Sequence, residues 1–220
     1  MSQLPQRLVA EALGTGFLLM GVVGSGIMAE RLTDDVALAL LANTMATGAI
    51  LVVLIAGLGP VSGAHFNPAV TMAMTLRNHL SKSDALAYIA VQAVAAVIGV
   101  WLAHLVFDVE MLQASEHIRT GPPQALSEGI ATFGLVFFIF LGLRFRPDGV
   151  AWMVGLYIVA AYWFTASTSF ANPAVTLGRM FTDSFSGIRP VDAPVFVFAQ
   201  ILGAGLATLT ARLFDRNVSE

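Results

Sequence analysis

The sequence predicts an all-α membrane protein, with six transmembrane helices and two re-entrant half-helices arranged as an inverted repeat. Three observations carry this reading. Of 220 residues, 57% are hydrophobic and only 11% are charged, against about 25% charged in a soluble domain. The apolar residues fall in uncharged stretches of spanning length. One pentapeptide, Asn-Pro-Ala-Val-Thr, occurs twice, at 67–71 and 172–176. So few charges cannot coat a soluble globule, solvate a disordered chain or build a nucleic-acid-binding face. The chain has no Cys, which excludes disulfide frameworks, thiol catalysis and thiolate metal sites.

A spanning helix needs about 20 mostly apolar residues. Six fit, at 8–28, 37–58, 85–107, 124–143, 150–168 and 193–213. Glu11 is the one charge between Arg7 and Glu30, and Glu128 the one charge between Gln124 and Leu143. The stretches 36–76, 85–107, 149–178 and 193–211 contain no Asp, Glu, Lys or Arg. The first span reads as a retained helix. Its apolar run is too long for a signal peptide, and no small-residue cleavage site precedes Glu30. Residues 59–76 and 169–181 remain, each too short to cross, and read as re-entrant segments.

Lys and Arg set the orientation. With the N-terminus inside, the cytoplasmic segments carry Arg7, Arg77, Lys82, Arg144, Arg146, Arg212 and Arg216, and the other side Arg31, Arg119, Arg179 and Arg189. Seven against four favours both termini in the cytoplasm, and Arg179 is discounted because its short segment dips into the membrane. A Cys placed at Ser219 should then be closed to labelling from outside.

The chain divides into a first repeat (1–107), an external linker (108–123) and a second repeat (124–220). Each repeat has a Glu early in its first helix (Glu11, Glu128), an Asn-Pro-Ala-Val-Thr, and a Gln in its last helix (Gln92, Gln200). The pentapeptides are 105 residues apart, and the Asn-to-Gln separations are 25 and 28. Three spans per repeat is an odd number, so the copies enter from opposite sides. That places a pseudo-two-fold axis in the membrane plane, an architecture known from transporters with a midplane site. The linker, with Asp108, Glu110, Glu116, His117, Arg119 and Gly-Pro-Pro at 121–123, reads as a loop.

Asn is a preferred N-cap and Pro a preferred first helical residue. Asn67-Pro68 and Asn172-Pro173 therefore each start a helix, with room for two or three turns. Starting inside an apolar stretch, these are half-helices whose free backbone groups must be buried or face a water-filled cavity. Two opposed half-helices converge their positive ends at the midplane. Each Asn can cap its helix with the side-chain oxygen and offer amide donors to the lumen. A neutral hydroxylic solute can accept those bonds, whereas cations and protons meet a positive potential.

Over essentially its whole length the chain resembles the aquaporin and aquaglyceroporin (major intrinsic protein) family. The resemblance rests on Ser62-Gly63-Ala64-His65-Phe66-Asn67-Pro68-Ala69-Val70 and Asn172-Pro173-Ala174, with Glu11, Glu128, Gln92 and Gln200 in support. It implies a homotetramer in the bacterial inner membrane, one pore per protomer, and passive conduction of water or small uncharged solutes. Asn67, Pro68, Ala69, Asn172, Pro173 and Ala174 would form the pore midplane. No cofactor, metal or nucleic-acid partner is implied.

Family members carry a second constriction on the outer side, where an Arg normally follows the second Asn-Pro-Ala. Here that position is Val175, and Arg179 lies one helical turn further on. Counting back from Asn67 gives Thr47 where water-selective members carry Phe, and Ser169 supplies a third corner. Ungapped counting from Asn172 gives Ala160 for the fourth; anchoring on Gly155-Leu156 gives Tyr162, which we prefer. The ring of Thr47, Tyr162 or Ala160, Ser169 and Val175 has no fixed charge and less bulk than a water-only filter needs. It should pass water with glycerol, urea and undissociated arsenous or antimonous acid, the last by analogy to bacterial members without the Arg that are associated with metalloid handling. The alternative is a water-selective channel, if Arg179 or Trp163 fills the gap.

Glu11 and Glu128 are ionisable groups within spans. They read as acceptors for backbone N–H groups of the irregular loops in preference to a proton relay, since no chain of titratable partners accompanies them. His65 reads as loop-fixing or pore-lining. Tyr162-Trp163-Phe164 is an interfacial aromatic cluster at the end of helix five that can also serve as pore wall. An ion-coupled transporter lacks a visible coupling site. An intramembrane enzyme lacks any Ser-His, Asp-Asp or His-Glu-x-x-His arrangement in the spans, so no catalytic residue is assigned.

Overall fold

The computed structural model describes residues 3–215; Arg216 and Ser219 lie outside them. The described residues form eight α-helices: α1 (Leu4–Leu32), α2 (Val36–Ser62), α3 (Pro68–Leu76), α4 (Lys82–Phe107), α5 (Pro122–Phe145), α6 (Val150–Phe164), α7 (Pro173–Arg179) and α8 (Ala193–Ala211). Five of them, α1, α2, α4, α5 and α8, are long and apolar enough to cross a membrane. The sixth crossing, α6, has 15 residues and follows a single 3₁₀ turn at Pro147–Gly149.

That helix is shorter than the expected span 150–168. It stops at Phe164 because the next residues are Thr-Ala-Ser-Thr-Ser, whose hydroxyls compete for backbone groups. Thr165 Oγ1 donates to the Ala161 carbonyl at 2.6 Å. Thr168 (φ 60°) and Ser169 (φ 49°) then turn left-handed and send the chain inward. In contrast α2 continues past its expected end at 58, through Pro60, to Ser62. A Pro in the last turn forfeits a single i→i−4 bond.

The half-helices start where the Asn-Pro pairs place them. Asn67 Oδ1 accepts from the backbone N–H of Ala69 (2.9 Å) and Val70 (3.5 Å). Asn172 Oδ1 does the same for Ala174 (2.8 Å) and Val175 (3.3 Å). Each Pro sits at the first helical position, where its missing N–H is no loss. The segments are nine and seven residues long.

Packing repeats across the two copies. α1 lies against α4, and α5 against α8. A Cβ on Gly99 would overlap the Gly16 backbone, and one on Gly203 the Gly129 backbone, so both pairs meet backbone to backbone. Between the copies α2 crosses α6 at Gly48 and Gly155 in the same way. The core, with Leu18, Leu19, Val22, Phe66, Val70, Leu135, Val136, Ile158, Phe170 and Val175, wraps both half-helices. Outward faces carry exposed Phe17, Val53, Leu86, Leu105, Trp152, Leu156, Phe198 and Leu206, as expected of a surface solvated by lipid.

One face of the bundle carries Gln3 and Asp215, the ends of the described residues, and the other the 108–121 linker. On the terminal face, Arg77 and Arg144 pair with Asp215 at 2.6 and 3.5 Å. Arg7 bonds Asp84 (3.0 Å) and Tyr88 (2.7 Å), whose hydroxyl donates to the Ser62 carbonyl (2.9 Å). On the linker face, His104 bridges the Met111 carbonyl and the Thr182 hydroxyl.

Candidate functional site: a central cavity at two opposed half-helices

The two loops that enter the half-helices are built alike. In the first, Gly63, Ala64 and Phe66 have positive φ; in the second, Thr168, Ser169 and Ala171 do. Such backbone exposes N–H groups that a helix would have satisfied, and a buried carboxylate meets them in each copy. Glu11 accepts from His65 N (2.9 Å), Phe66 N (2.7 Å), Ser62 Oγ (2.7 Å) and Gln92 Nε2 (2.8 Å). Glu128 accepts from Phe170 N (2.8 Å), Ala171 N (2.8 Å) and Gln200 Nε2 (2.6 Å). Gln92 and Gln200 also donate to Thr71 and Thr176, the last residues of the repeated pentapeptide, at 3.1 and 2.9 Å. Glu11, Glu128, Gln92 and Gln200 are fully buried.

The loops are also tied to each other. Asn67 Nδ2 donates to the Ala171 carbonyl and Asn172 Nδ2 to the Phe66 carbonyl, both at 2.8 Å. The sequence reading left both amide hydrogens of each Asn to the lumen; one is spent on this reciprocal tie, and the second remains. Pro68 and Pro173 are half-buried, and Ala69 and Ala174 are buried behind them. His65 Nδ1 lies 3.1 Å from Thr71 Oγ1 with its ring edge-on to Tyr88, so it braces its loop while also touching the cavity.

Asn67 and Asn172 line one central cavity. Towards the terminal face its wall is apolar apart from His65: Val70, Met74, Ile139, Leu143 and Val150. Towards the linker face it is mixed, with Val22, Thr47, Tyr162, Ser169, Phe170, Val175 and Arg179. Thr47, Tyr162, Ser169 and Val175 are thus brought together, and the Tyr162 hydroxyl donates to Thr47 Oγ1 at 3.2 Å. Ala160 is exposed and stands away from the cavity. Trp163 is 51% exposed on the outside of α6 and does not fill the gap. No cluster of three or more metal-ligating side chains occurs among the described residues.

The sequence profile of the major intrinsic protein family matches residues 1–144 and 143–220. The chain is 61% identical over 209 residues to the aquaglyceroporin AqpS of Rhizobium meliloti, covering 95% of this chain and 90% of that protein. This chain belongs to the major intrinsic protein family. It is also 27% identical over 220 residues to the glycerol uptake facilitator protein-like 6 of Lactiplantibacillus plantarum, covering 94% and 97% of the two chains. The fold matches the X-ray structure of the aquaglyceroporin from Plasmodium falciparum at a TM-score of 0.73 and 19% identity, over 99% and 98% of the chains. A member of this family is a membrane channel and not an enzyme.

Three residues of this major intrinsic protein escaped the sequence reading as a group. Arg119, Phe170 and Arg179 form a buried stack on the linker side. The Arg179 guanidinium carbon lies 3.4 Å from the Phe170 ring centroid and that of Arg119 lies 5.1 Å from it. Arg119 donates to the carbonyls of Gly187 (2.8 Å), Phe185 (3.1 Å) and Ser167 (3.4 Å), and so sews the linker to both neighbouring loops. Burial lowers its pKa to about 10, which leaves it charged at neutral pH. Arg179 is 1% exposed and donates through Nε to the Ser186 carbonyl. Neither forms an ion pair among the described residues. The available signal was that ionisable residues at membrane depth are functional candidates by default.

Proposed function

We propose that the chain is a passive channel for water and small uncharged solutes (glycerol, urea, undissociated arsenous and antimonous acid) that excludes protons and ions. The observation that carries this reading is the pair of half-helix N-termini facing each other across one cavity, each capped by an Asn with an amide hydrogen to spare. The dipole ends and amide donors favour oxygen acceptors and oppose cations. Asn67 and Asn172, started and backed by Pro68, Ala69, Pro173 and Ala174, form the midplane. Thr47, Tyr162, Ser169 and Val175 form the linker-side constriction. Glu11, Glu128, His65, Gln92 and Gln200 support the loops.

The constriction favours glycerol-sized solutes over a water-only bore, because Val175 and Thr47 are small where a water filter is bulky. The AqpS relative is named an aquaglyceroporin and the Lactiplantibacillus relative a glycerol uptake facilitator, which supports the same substrate class. An ion-coupled transporter is disfavoured, since Glu11 and Glu128 have their oxygens occupied by loop and Gln donors. We further infer a homotetramer in the inner membrane with the terminal face cytoplasmic, as the Arg and Lys bias indicates.

Swelling of proteoliposomes tests the channel. Water, glycerol and arsenous acid should all enter faster than through empty vesicles, with no faster decay of a pH gradient. Solute-tight vesicles with fast water flux would assign the chain to the water-selective alternative. For orientation, a Cys at Glu116 should label from outside in intact cells and one at Arg146 should not. Native mass spectrometry in mild detergent checks the tetramer.

A further inference from the structure

The two half-helices present the same face to the cavity. Asn67, Val70 and Met74 line it in the first copy, and Asn172, Val175 and Arg179 in the second. Steps of three and four keep side chains on one side of a helix. The next such step reaches Arg77 at the C-cap of α3 and, beyond the end of α7, Thr182. Neither of these lines the cavity. Each is drawn aside by the last helix of the opposite repeat or by the residues that follow it. His104 of α4 holds the Thr182 hydroxyl at 2.9 Å. Asp215, just past the single 3₁₀ turn that follows α8, holds Arg77 at 2.6 Å.

Thr182 is short and neutral, whereas Arg77 is long and charged. The Arg77 guanidinium carbon lies 5.2 Å from the centroid of the Phe140 ring, a sequence neighbour of the cavity-lining Ile139. The Arg77 side chain is only 15% exposed, and its Nη1 is buried without a partner among the described residues. Asp215 therefore compensates a nearly buried charge, and stranding such a charge is costly. The same carboxylate reaches Arg144 at 3.5 Å, next in sequence to the cavity-lining Leu143. Without it two guanidiniums face each other and repel. Arg144 stands on the rim, 32% exposed, and can turn to bulk water. Arg77 stands one turn beyond Met74 on the pore face, so the water nearest to it is that of the terminal mouth.

We propose that Asp215 is a latch that keeps the Arg77 guanidinium out of the terminal mouth, and that release of the segment after α8 lets Arg77 swing beside Met74 and close the channel. The inference rests on the channel reading above and adds a gate to it, at the end away from Thr47, Tyr162, Ser169 and Val175. In the closed state the guanidinium lies among Met74, Leu143 and Val150, where it narrows an apolar mouth for every solute alike. The latch is built to open: the Asp215 side chain is 41% exposed, and an ion pair with one partner in water is weakly held.

The test is the water and glycerol permeability of proteoliposomes that hold equal amounts of assembled protein. Asp215→Ala should lower both by about fivefold, the shift in a two-state balance that loss of one partly exposed ion pair can produce. Asp215→Ala combined with Arg77→Ala should restore both, because the plug goes with its latch. Loss of mere support for α3 gives the reverse, since the double variant then holds the half-helix no better than the single one. The chain has no Cys, so Met74→Cys supplies a second readout. A neutral maleimide should label it more slowly once Asp215→Ala is added, and at the original rate once Arg77→Ala is added as well. Unaltered or raised permeability in Asp215→Ala, a double variant as slow as the single one, or labelling that Asp215→Ala does not slow overturns the latch. So does failure of both Asp215→Ala and Asp215→Asn to assemble, because the residue is then a structural support. Wild-type vesicles that pass neither water nor glycerol would instead overturn the channel reading itself.

Discussion

The two loops at the middle of the molecule are near copies in backbone and differ in what stands behind them. Residues 63–67 and 168–172 share left-handed residues, a carboxylate anchor, a Gln-Thr brace and an Asn cap tied to the other loop. Only the Asn is common to the two loop sequences, Gly-Ala-His-Phe-Asn and Thr-Ser-Phe-Ala-Asn, and His65 in the first stands where Phe170 does in the second. Two turns down the half-helix they differ again, with Met74 in the first and Arg179 in the second. The first copy therefore backs its loop with a His-Thr-Tyr contact and leaves an apolar wall. The second backs it with a cation-on-ring stack and puts a charge in the wall. Symmetry belongs to the machinery that holds the half-helices, and asymmetry to the linker end, where we propose that the solute is sorted.

Breaking the shared part should have the largest effect. Glu128→Leu strands the N–H groups of Phe170 and Ala171 and the amide of Gln200. At about 1–3 kcal/mol for each buried donor left unmet, the loop should not form, and neither folded protein nor flux should be recovered. Glu11→Leu should be equally severe. A protein that tolerates one replacement and not the other would show that the copies are not equivalent supports. A carboxylate can be probed more gently with Glu128→Gln, which keeps the shape and offers fewer acceptors.

The midplane comes next. Asn67→Asp and Asn172→Asp each put a negative charge at a positive half-helix end. Each should admit cation leak measurable as decay of a sodium or proton gradient, and the two should be comparable, because the caps and reciprocal ties are matched to within a few tenths of an ångström. A leak confined to Asn172→Asp would move the ion barrier to the linker side, where Arg179 stands.

Much of this arrangement was legible in the sequence for a physical reason. Spanning helices need long uncharged runs, and Asn-Pro fixes a helix start by local chemistry alone, so the half-helices and their Asn caps follow from short stretches of residues. Duplication made the anchors Glu11 and Glu128 readable, because a charge recurring at the same place in both copies marks a shared task. The end of α6 was misplaced by four residues, since Thr and Ser in an apolar run are compatible with a membrane helix until their hydroxyls find backbone partners. The Arg119–Phe170–Arg179 stack was illegible for a different reason. It joins a linker, a loop and a half-helix that are distant in sequence, and no local pattern announces such a meeting.

The smallest effect expected is at the rim of the second copy. Burial pushes the Asp192 carboxyl up, but hydrogen bonds from Arg189 and the Arg119 backbone, with the charge of Arg189, outweigh it and leave the pKa below the usual carboxylate range. A depressed folded pKa stabilises above the unfolded value, near 4, and that contribution disappears as pH falls through the folded value. Asp192→Asn should therefore cost about 1–3 kcal/mol at pH 7, with the difference from wild type narrowing below about pH 4. Thermal unfolding in detergent at the two pH values reads this directly. A penalty that stays constant into acid would mean that the carboxylate charge plays no part.

Sorting at the linker end is the central claim, and one substitution tests it most directly. Val175→Arg places a second guanidinium and its bulk on the wall beside Thr47, Tyr162 and Ser169. Stopped-flow light scattering on matched proteoliposomes should show glycerol and arsenous-acid entry reduced by about tenfold or more, as bulk and a strong donor fork narrow the bore, while much of the water flux persists. Equal solute entry in wild type and Val175→Arg would contradict the account, and would place the selective constriction away from this ring.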